Sequence, residues 1–288
     1  VLTPHHSATE PQRAWWRFYQ WLFWRRLSQM LVLLLFLLGP WAGIWIIQGN
    51  LSASLILETL PMTDLLLFAQ VVAAQGVPAL QVALGVLLVV GVYGVLGGRF
   101  FCAWVCPVNM VTDLASWLRR RMGITKGWRG SRSIRFGVLV LVLLLAAGSG
   151  TLLWEWINPV ALLHRGVIFG LWLGLLVVLG IFFFDLLVSP HGWCGRLCPT
   201  GAAYSLLSHV SLLRVDAARR EVCTDCRECY KVCPEPQVID LPLRGAERGI
   251  GPTITDVQCT NCGRCIDVCP EDVYQFAFHL PNKSRVAL

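Results

Sequence analysis

Cys223-Thr224-Asp225-Cys226-Arg227-Glu228-Cys229-Tyr230-Lys231-Val232-Cys233-Pro234 and Cys259-Thr260-Asn261-Cys262-Gly263-Arg264-Cys265-Ile266-Asp267-Val268-Cys269-Pro270 carry one spacing twice. Each reads C-x2-C-x2-C-x3-C-P, the run with which bacterial proteins hold paired iron–sulfur cubes. Two-residue spacers turn the chain tightly enough for three thiolates to converge on one cube. The fourth cysteine, held in a chain turned by proline, reaches the other cube. The spacing therefore predicts Cys223, Cys226, Cys229 and Cys269 on one [4Fe–4S] cluster and Cys259, Cys262, Cys265 and Cys233 on a second. Zinc and disulfides are the competing readings. Zinc takes paired C-x2-C knuckles with His or Cys partners, and nothing in that chemistry favours two triplets plus one. Disulfides are rare in a cytoplasmic domain. So small a unit buries little core by itself, and the clusters are expected to hold it together.

Outward from this unit the composition changes. The 288 residues are 56% apolar and 14% charged, with a mean hydropathy of +0.60, a net charge of +7 and 12 cysteines. Ordinary soluble proteins carry roughly a quarter charged residues, so a purely soluble chain is excluded, and so is a disordered one. Four apolar runs, near 27–47, 77–98, 134–156 and 167–188, are each long enough to cross a hydrocarbon core of about 30 Å. Gly39-Pro40 interrupts the first, which membrane helices tolerate. That run is too long, and residues 1–26 too polar and aromatic, for a cleavable signal.

Basic residues orient the runs. Arg13, Arg17, Arg25 and Arg26 precede the first; Arg99, Arg119, Arg120, Arg121, Lys126, Arg129, Arg132 and Arg135 follow the second. Residues 48–76 hold no Lys or Arg, and 157–166 hold only Arg165. The positive-inside rule places both termini and the middle loop in the cytoplasm and 48–76 in a partly helical periplasmic loop. The net charge needs no nucleic acid to explain it. Trp15, Trp16, Trp21, Trp24, Trp45, Trp154 and Trp156 read as interface belts.

The expected fold class is a membrane protein with four transmembrane helices and a small cytoplasmic α+β bacterial-type 2[4Fe–4S] ferredoxin domain. Its divisions are a cytoplasmic N-terminal segment (1–26), a four-helix membrane domain (27–188) with a cytoplasmic C-x3-C-P loop (99–133), a second C-x3-C-P segment and linker (189–218), the ferredoxin domain (219–280) and a tail (281–288).

The remaining four cysteines stand in matched places. Cys102-Ala103-Trp104-Val105-Cys106-Pro107 follows the second run and Cys194-Gly195-Arg196-Leu197-Cys198-Pro199 the fourth. With Asn50 and Asn158 ahead of them, the halves read as two related hairpins, each delivering a cysteine pair to the cytoplasmic surface. Two pairs supply enough thiolates for a third metal or iron–sulfur centre; separate redox dithiols and thiols that only pack are the alternatives.

Catalytic residues are not assigned by the sequence. A quinol site needs a proton acceptor at membrane depth, and Glu155, between Trp154 and Trp156, is the candidate. Asp185 reads as an interfacial carboxylate, and His164 falls in a short periplasmic loop. His5, His6, His164, His191, His209 and His279 all lie outside the runs, which disfavours bis-His haem; C-x-x-C-H and G-x-G-x-x-G are absent, which disfavours c-type haem and a nicotinamide donor.

Gly39-Pro40-Trp41 with Gly49-Asn50, Cys102 to Pro107 with Asn109, Thr112-Asp113-Leu114-Ala115 and Trp117 to Arg121, Trp154 to Pro159, His191 to Gly195, and Cys233-Pro234-Glu235-Pro236 together resemble the NapH family, across about residues 20–280. This family is the ferredoxin-type membrane component of the quinol dehydrogenase of the periplasmic nitrate reductase system. Related polyferredoxins of cytochrome oxidase assembly and nitrous oxide reduction share the paired C-x3-C-P motifs but carry extra domains, whereas the methylamine-utilisation type is harder to separate. The resemblance implies four spans in a bacterial inner membrane, cytoplasmic clusters, and electrons passing from ubiquinol toward nitrate reductase. It also implies a periplasmic iron–sulfur subunit and a multihaem cytochrome as partners. The alternative is an assembly or docking subunit whose clusters serve a soluble cytoplasmic ferredoxin-type protein, with Arg119–Arg121 as its docking face or simply as topological anchors. A cluster some 300 mV below the quinone would make reduction uphill by about 7 kcal/mol per electron, so the potentials matter to the first reading.

Overall fold

A computed structural model describes residues 15–128, 130–170 and 172–279; Arg13, Arg129, His5, His6 and the 281–288 tail lie outside the described residues. Helix α1 (Gln20–Ala42) starts earlier than the first apolar run and ends sooner, closed by Gly43 in the left-handed conformation at φ 73°. Arg25 and Arg26 are therefore inside a helix and not in a polar leader. A three-stranded antiparallel sheet follows, β1 (Ile47–Gly49), β2 (Ala53–Ile56) and β3 (Leu60–Thr63). Then come α2 (Leu65–Gln75), α3 (Leu80–Leu96), α4 (Phe100–Trp104), α5 (Val108–Arg121), α6 (Ile134–Ser149), α7 (Leu153–Ile157), α8 (Pro159–Phe169) and α9 (Trp172–Phe183). π-Helical turns at Phe184–Val188 and Trp193–Leu197 lead into α10 (Pro199–Leu207).

Among the described residues one helix, Trp16–Ala42, is long and apolar enough to cross a membrane. The other three runs give shorter apolar helices, Leu80–Leu96, Ile134–Ser149 and Gly174–Val188, of about 22–26 Å at 1.5 Å per residue. By length and composition, one full-length span is thus present among the described residues. The apolar runs overstate the helices because residues 150–157 turn into α7 and 167–169 close α8.

The suspected duplication is visible in the backbone. Helices α2 and α8 have 11 residues each. Asp64 caps α2, its Oδ2 accepting the Leu66 and Leu67 N–H at 3.0 and 3.2 Å. Asn158 caps α8 by accepting the Val160 N–H at 3.1 Å, with Pro159 in the first helical position. Gly76 follows one helix and Gly170 the other. The caps are joined through Ser52, whose Oγ accepts from Asn158 Nδ2 at 3.2 Å and whose carbonyl accepts the Asp64 N–H at 2.7 Å.

Several sequence expectations change here. Residues 48–76 are partly helical, as expected, through α2, and they also carry the three-stranded sheet and pack into the fold: Thr63 meets Gly85 of α3, and Asp64 reaches Tyr204 of α10. His164 lies within α8, 4% exposed and edge-on to Phe36 at 5.0 Å, because the loop assigned to it is helical. Asp185 is fully buried, not interfacial; its Oδ1 accepts the Trp193 N–H at 2.9 Å and so fixes the turn that carries Cys194. Trp16, Trp24, Trp45 and Trp156 are exposed as interface residues would be, but Trp154 is a core residue beside Leu66 and Leu139.

The cysteine-rich unit repeats itself at a constant offset. Helices α11 (Glu228–Val232) and α13 (Arg264–Val268) occupy equivalent places in the two runs, each preceded by left-handed residues, Asp225 and Arg227 in one and Asn261 and Gly263 in the other. Helix α12 (Gln237–Arg244) lies between them. Strand β4 (Leu213–Asp216) pairs antiparallel with β5 (Gln275–Phe278), so the sheet of this unit starts earlier than residue 219. Val215, Ile239, Ile254, Val273 and Tyr274 form its core, together with Cys229, Cys265 and Cys269.

The two halves interlock. Asp267 accepts the Trp21 and Leu22 N–H at 3.0 Å each, so a carboxylate of one half caps the first helix of the other. Trp21 sits edge-on to Phe276 at 4.7 Å and to Trp104 at 6.1 Å, a junction residue and not part of a membrane belt. Asp113 of α5, 9% exposed, takes Arg25 at 3.5 Å and also Arg26 and Arg264. Replacing Asp267 with Ala is expected to cost about 0.5–2 kcal/mol, the usual loss of a cap. Faster hydrogen exchange at the Trp21 and Leu22 amides would report it; unchanged exchange there would rule out the capping role.

Candidate iron–sulfur centres

Two cavities flank the core of the cysteine-rich unit. Cys223, Cys226, Cys229 and Cys269 line the first, of about 330 Å³. Cys233, Cys259, Cys262 and Cys265 line the second, of about 350 Å³. The structure thus sorts the eight cysteines into the two sets read from their spacing, with the fourth member of each set supplied by the opposite run. Left-handed Asp225 and Asn261, at φ 57° and 48°, are the residues around which each loop turns back toward its cavity.

Neither cavity is shaped for one ion. Among the described residues no three His, Cys, Asp or Glu side chains are grouped closely enough to hold a single metal. The thiols stand apart around each cavity, an arrangement that fits a cube with a thiolate at each iron. Burial pushes five of the thiols upward: Cys229 to about 11, Cys259 to about 12, and Cys233, Cys265 and Cys269 as well. Backbone N–H groups partly offset this at Cys229 (Tyr230), Cys259 (Asn261) and Cys269 (Val273 and Glu271). N–H groups aimed at sulfur are also what tunes a cluster's potential.

The surroundings of the cavities differ. Cys226 is exposed, so the first cavity opens to solvent. The second faces the helical half. Asn261, next to Cys262, donates to Leu96 O at 3.2 Å and Leu213 O at 2.7 Å, and its own carbonyl accepts from Trp104 Nε1 at 3.0 Å.

Cys102, Cys106, Cys194 and Cys198 come together as well. All four are free thiols within electrostatic reach of one another, Cys106 and Cys102 packing in the core that also holds Val89, Phe101 and Tyr204. Burial raises each, Cys198 to about 11. The two second cysteines stand at matched helix starts: Val108 and Asn109 N–H face Cys106 at the start of α5, and Thr200 and Gly201 N–H face Cys198 at the start of α10.

Between this group and the second cavity lies an ionic junction missed by sequence reasoning. Glu235, two residues past Cys233, is 2% exposed. It accepts from Arg99 Nη1 at 3.3 Å, Arg132 Nε at 2.6 Å and Gln237 Nε2 at 3.1 Å, with Arg135 Nη1 at 3.8 Å. Burial alone would raise the Glu235 carboxyl; Arg99 and Arg132 overcome it and hold the group below the usual range. Arg99 also donates to Gln258 O at 2.7 Å and Cys194 O at 3.2 Å, tying both cysteine groups to one guanidinium. Counted as loop charges, these arginines read only as topological signals. The one available hint was an acidic residue in Cys233-Pro234-Glu235-Pro236, opposite so many cations.

Of the other residues singled out, Glu155 is half-buried on α7 and accepts from Asn158 Nδ2 at 3.2 Å. Arg119 is buried and donates to Leu186 O at 2.6 Å and to Lys126 O, which makes it structural, whereas Arg120 and Arg121 are exposed.

A family profile described as "4Fe-4S binding domain" matches residues 79–125 and again 171–215, and one described as "4Fe-4S dicluster domain" matches 222–273. The double match coincides with the two halves of the backbone repeat. No solved structure matches the chain. The ferredoxin-type protein NapH of Haemophilus influenzae is 50% identical over 231 residues, 80% of either chain. NapH of Escherichia coli is 45% identical over 245 residues, 85% of either chain. The methylamine utilization ferredoxin-type protein MauN of Methylorubrum extorquens is 47% identical over 229 residues, 80% of either chain. With cysteine-lined cavities in its C-terminal unit and relatives this similar along most of its length, the chain is an iron–sulfur electron-transfer subunit and belongs to the NapH family of ferredoxin-type proteins, to which MauN is related.

Proposed function

We propose that this protein is the membrane iron–sulfur subunit of a quinol dehydrogenase, drawing electrons from ubiquinol toward a periplasmic nitrate reductase. The observation that carries the proposal is the pair of four-thiol cavities. Cys223, Cys226, Cys229 and Cys269 would hold one [4Fe–4S] cluster, and Cys233, Cys259, Cys262 and Cys265 the other. When bound, such clusters supply one-electron carriers whose potentials depend on burial, net charge and hydrogen bonds to sulfur.

The chain's own residues support a place in the bilayer. Leu34, Leu87, Leu141, Leu144, Leu176 and Leu179 are exposed on helices α1, α3, α6 and α9. Soluble proteins seldom expose apolar surface so extensively. With basic residues concentrated at 13–26 and 99–135 and scarce at 48–76 and 157–166, this favours a multi-pass inner-membrane protein with the termini and the cysteine-rich unit in the cytoplasm. Glu155 is the candidate proton acceptor for the quinol. A periplasmic iron–sulfur subunit and a multihaem cytochrome would complete the route, since the clusters and the reductase lie on opposite faces.

The relatives at 42–47% identity named for methylamine utilization favour a second reading, with the same donor half serving methylamine oxidation. Bleaching of a reduced quinol analogue by membranes, with nitrate as oxidant, separates the two. Membranes with the subunit are expected to bleach the quinol, and Cys223→Ser and Cys262→Ser are each expected to reduce the rate at least tenfold. Undiminished nitrate-dependent oxidation in both variants would remove these clusters from the electron route.

A further inference from the structure

Arg25 belongs to the first helix of the apolar half, yet its charge falls beside the second cysteine-lined cavity. It is 1% exposed, its Nε and Nη1 make no hydrogen bond, and its Nη2 meets Asp113 at 3.5 Å. Asp113 is shared with Arg26 and with Arg264. Arg264 lines the second cavity; its Nη1 donates to Val232 O at 3.3 Å and its buried Nε has no acceptor. Arg25 lies within electrostatic reach of Cys262, and Arg264 within reach of Cys262 and Cys233.

The charges around this seam are uneven. Asp267, which caps α1 through the Trp21 and Leu22 N–H, is also within reach of Arg25 and Arg264. Two carboxylates thus face three guanidiniums, and burial keeps His191, near Arg264 and Asp113, in its neutral form. A buried cation short of partners is costly, which calls for a further anion beside Arg25. The first cavity is surrounded differently. At Cys229 and Cys269 the acting groups are other thiols, the Tyr274 hydroxyl and backbone N–H. Arg227 lines that cavity but is exposed, with Asp225 and Glu271 beside it on the rim, so water screens its charge.

We propose that Arg25, with Arg264, sets the reduction potential of the cluster at Cys233, Cys259, Cys262 and Cys265, so that a residue of the first apolar helix governs a centre in the cysteine-rich unit. A cluster with its thiolates is the further anion that the uneven charges call for. Its reduced form carries one more negative charge, which burial opposes and a nearby buried cation favours. Since Asp267 holds the start of α1 against the cysteine-rich unit, this potential depends on how the helical half is seated there. Arg25 can act so only if the second cavity holds a cluster, the reading given under the proposed function; no particular electron donor is required.

The test is an EPR redox titration of the full-length chain purified without oxygen, with iron content measured beside it. The signal of the second cluster is the one lost in Cys262→Ser. Arg25→Gln should lower its midpoint by at least a tenfold change in the reduction equilibrium, about 59 mV for one electron. Iron content and the midpoint of the first cluster should not change, and Arg25→Lys should recover part of the shift. Asp113→Asn should move the same signal upward, because it removes a negative charge from beside the same cations. A general loosening of the seam would carry both variants in one direction, so opposite signs mark a charge effect. If Arg25→Gln sheds its iron, the Asp113→Asn shift decides: upward supports the role of Arg25, and none or downward overturns it. An unmoved midpoint in Arg25→Gln, a shift shared equally by both clusters, or shifts of one sign in the two variants would also overturn it. Survival of every signal in Cys262→Ser would instead remove the cluster from the second cavity, and the role of Arg25 with it.

Discussion

Stripping iron from the purified chain with a chelator is expected to unfold residues 213–279 while most of the helical half survives. Nothing in this unit is stable by local propensity. Helices α11 and α13 have five residues each, and the sheet is two strands of four. Isolated elements of these lengths do not hold in water. The core meant to hold them includes Cys229, Cys265 and Cys269, with a large cavity on either side. Without clusters the side chains lining these cavities lose their packing partners, in a unit whose net stability as a small domain is only about 5–15 kcal/mol. The apo unit should therefore open and release its cysteines to water. Limited proteolysis should then cut within 213–279, with loss of near-ultraviolet circular dichroism and retention of most helical signal. The Trp21 and Leu22 amides should lose protection as well, since Asp267 leaves with the unit. A chelated chain that stays resistant to protease would mean that the apolar core suffices and that the clusters are passengers.

How much of this was legible in the sequence depends on the range over which each signal acts. The cysteine sets were readable because the runs are local and repeated: three cysteines of each set fall within seven residues, and the fourth is named by the proline after it. The pairing of Cys102 and Cys106 with Cys194 and Cys198 was readable only as a resemblance between distant segments, since convergence depends on how two hairpins pack. The helices of the apolar half were overdrawn because hydropathy continues through bends. Gly43 and Gly170 stop α1 and α8 within apolar sequence, where a backbone signal has no hydropathy counterpart. Charges were hardest. Arg99, Arg132 and Arg135 look like any cytoplasmic cluster until Glu235, more than a hundred residues away in each case but one, closes on them. Asp64 and Asp185 looked like loop and interface residues because nothing local announces that Tyr204 and the Trp193 N–H will meet them.

Removal of the Glu235 charge is expected to cost the most of any surface-distant point substitution here. Arg99 and Arg135 are buried on one side of it and Arg132 is one-third exposed on the other, so a single carboxylate balances a cluster of cations. Breaking a buried pair by deleting one partner costs about 3–5 kcal/mol, because the remaining charge stays buried without compensation. The Arg132 share is small, since water screens that side chain. Glu235→Ala should therefore lower the denaturant midpoint by an amount equivalent to about 3–5 kcal/mol. Glu235→Gln, which keeps the shape and some of the acceptors, should lose nearly as much, because the charge is what the arginines need. Acidification supplies the control. The Glu235 carboxyl is held below its ordinary range in the folded chain, so its contribution is complete above the unfolded value of about 4.3 and disappears as pH falls through the lower folded value. The gap between wild type and Glu235→Gln should accordingly be widest near neutrality and close in acid. Because Arg99 also holds Gln258 O and Cys194 O, the same substitution should loosen the seam between the second cavity and the four-thiol group. Protease sensitivity of the 124–133 segment and of the 189–197 turn should rise together. A variant as stable as wild type at neutral pH, or a gap that does not change with pH, would show that the arginines are balanced by something other than Glu235.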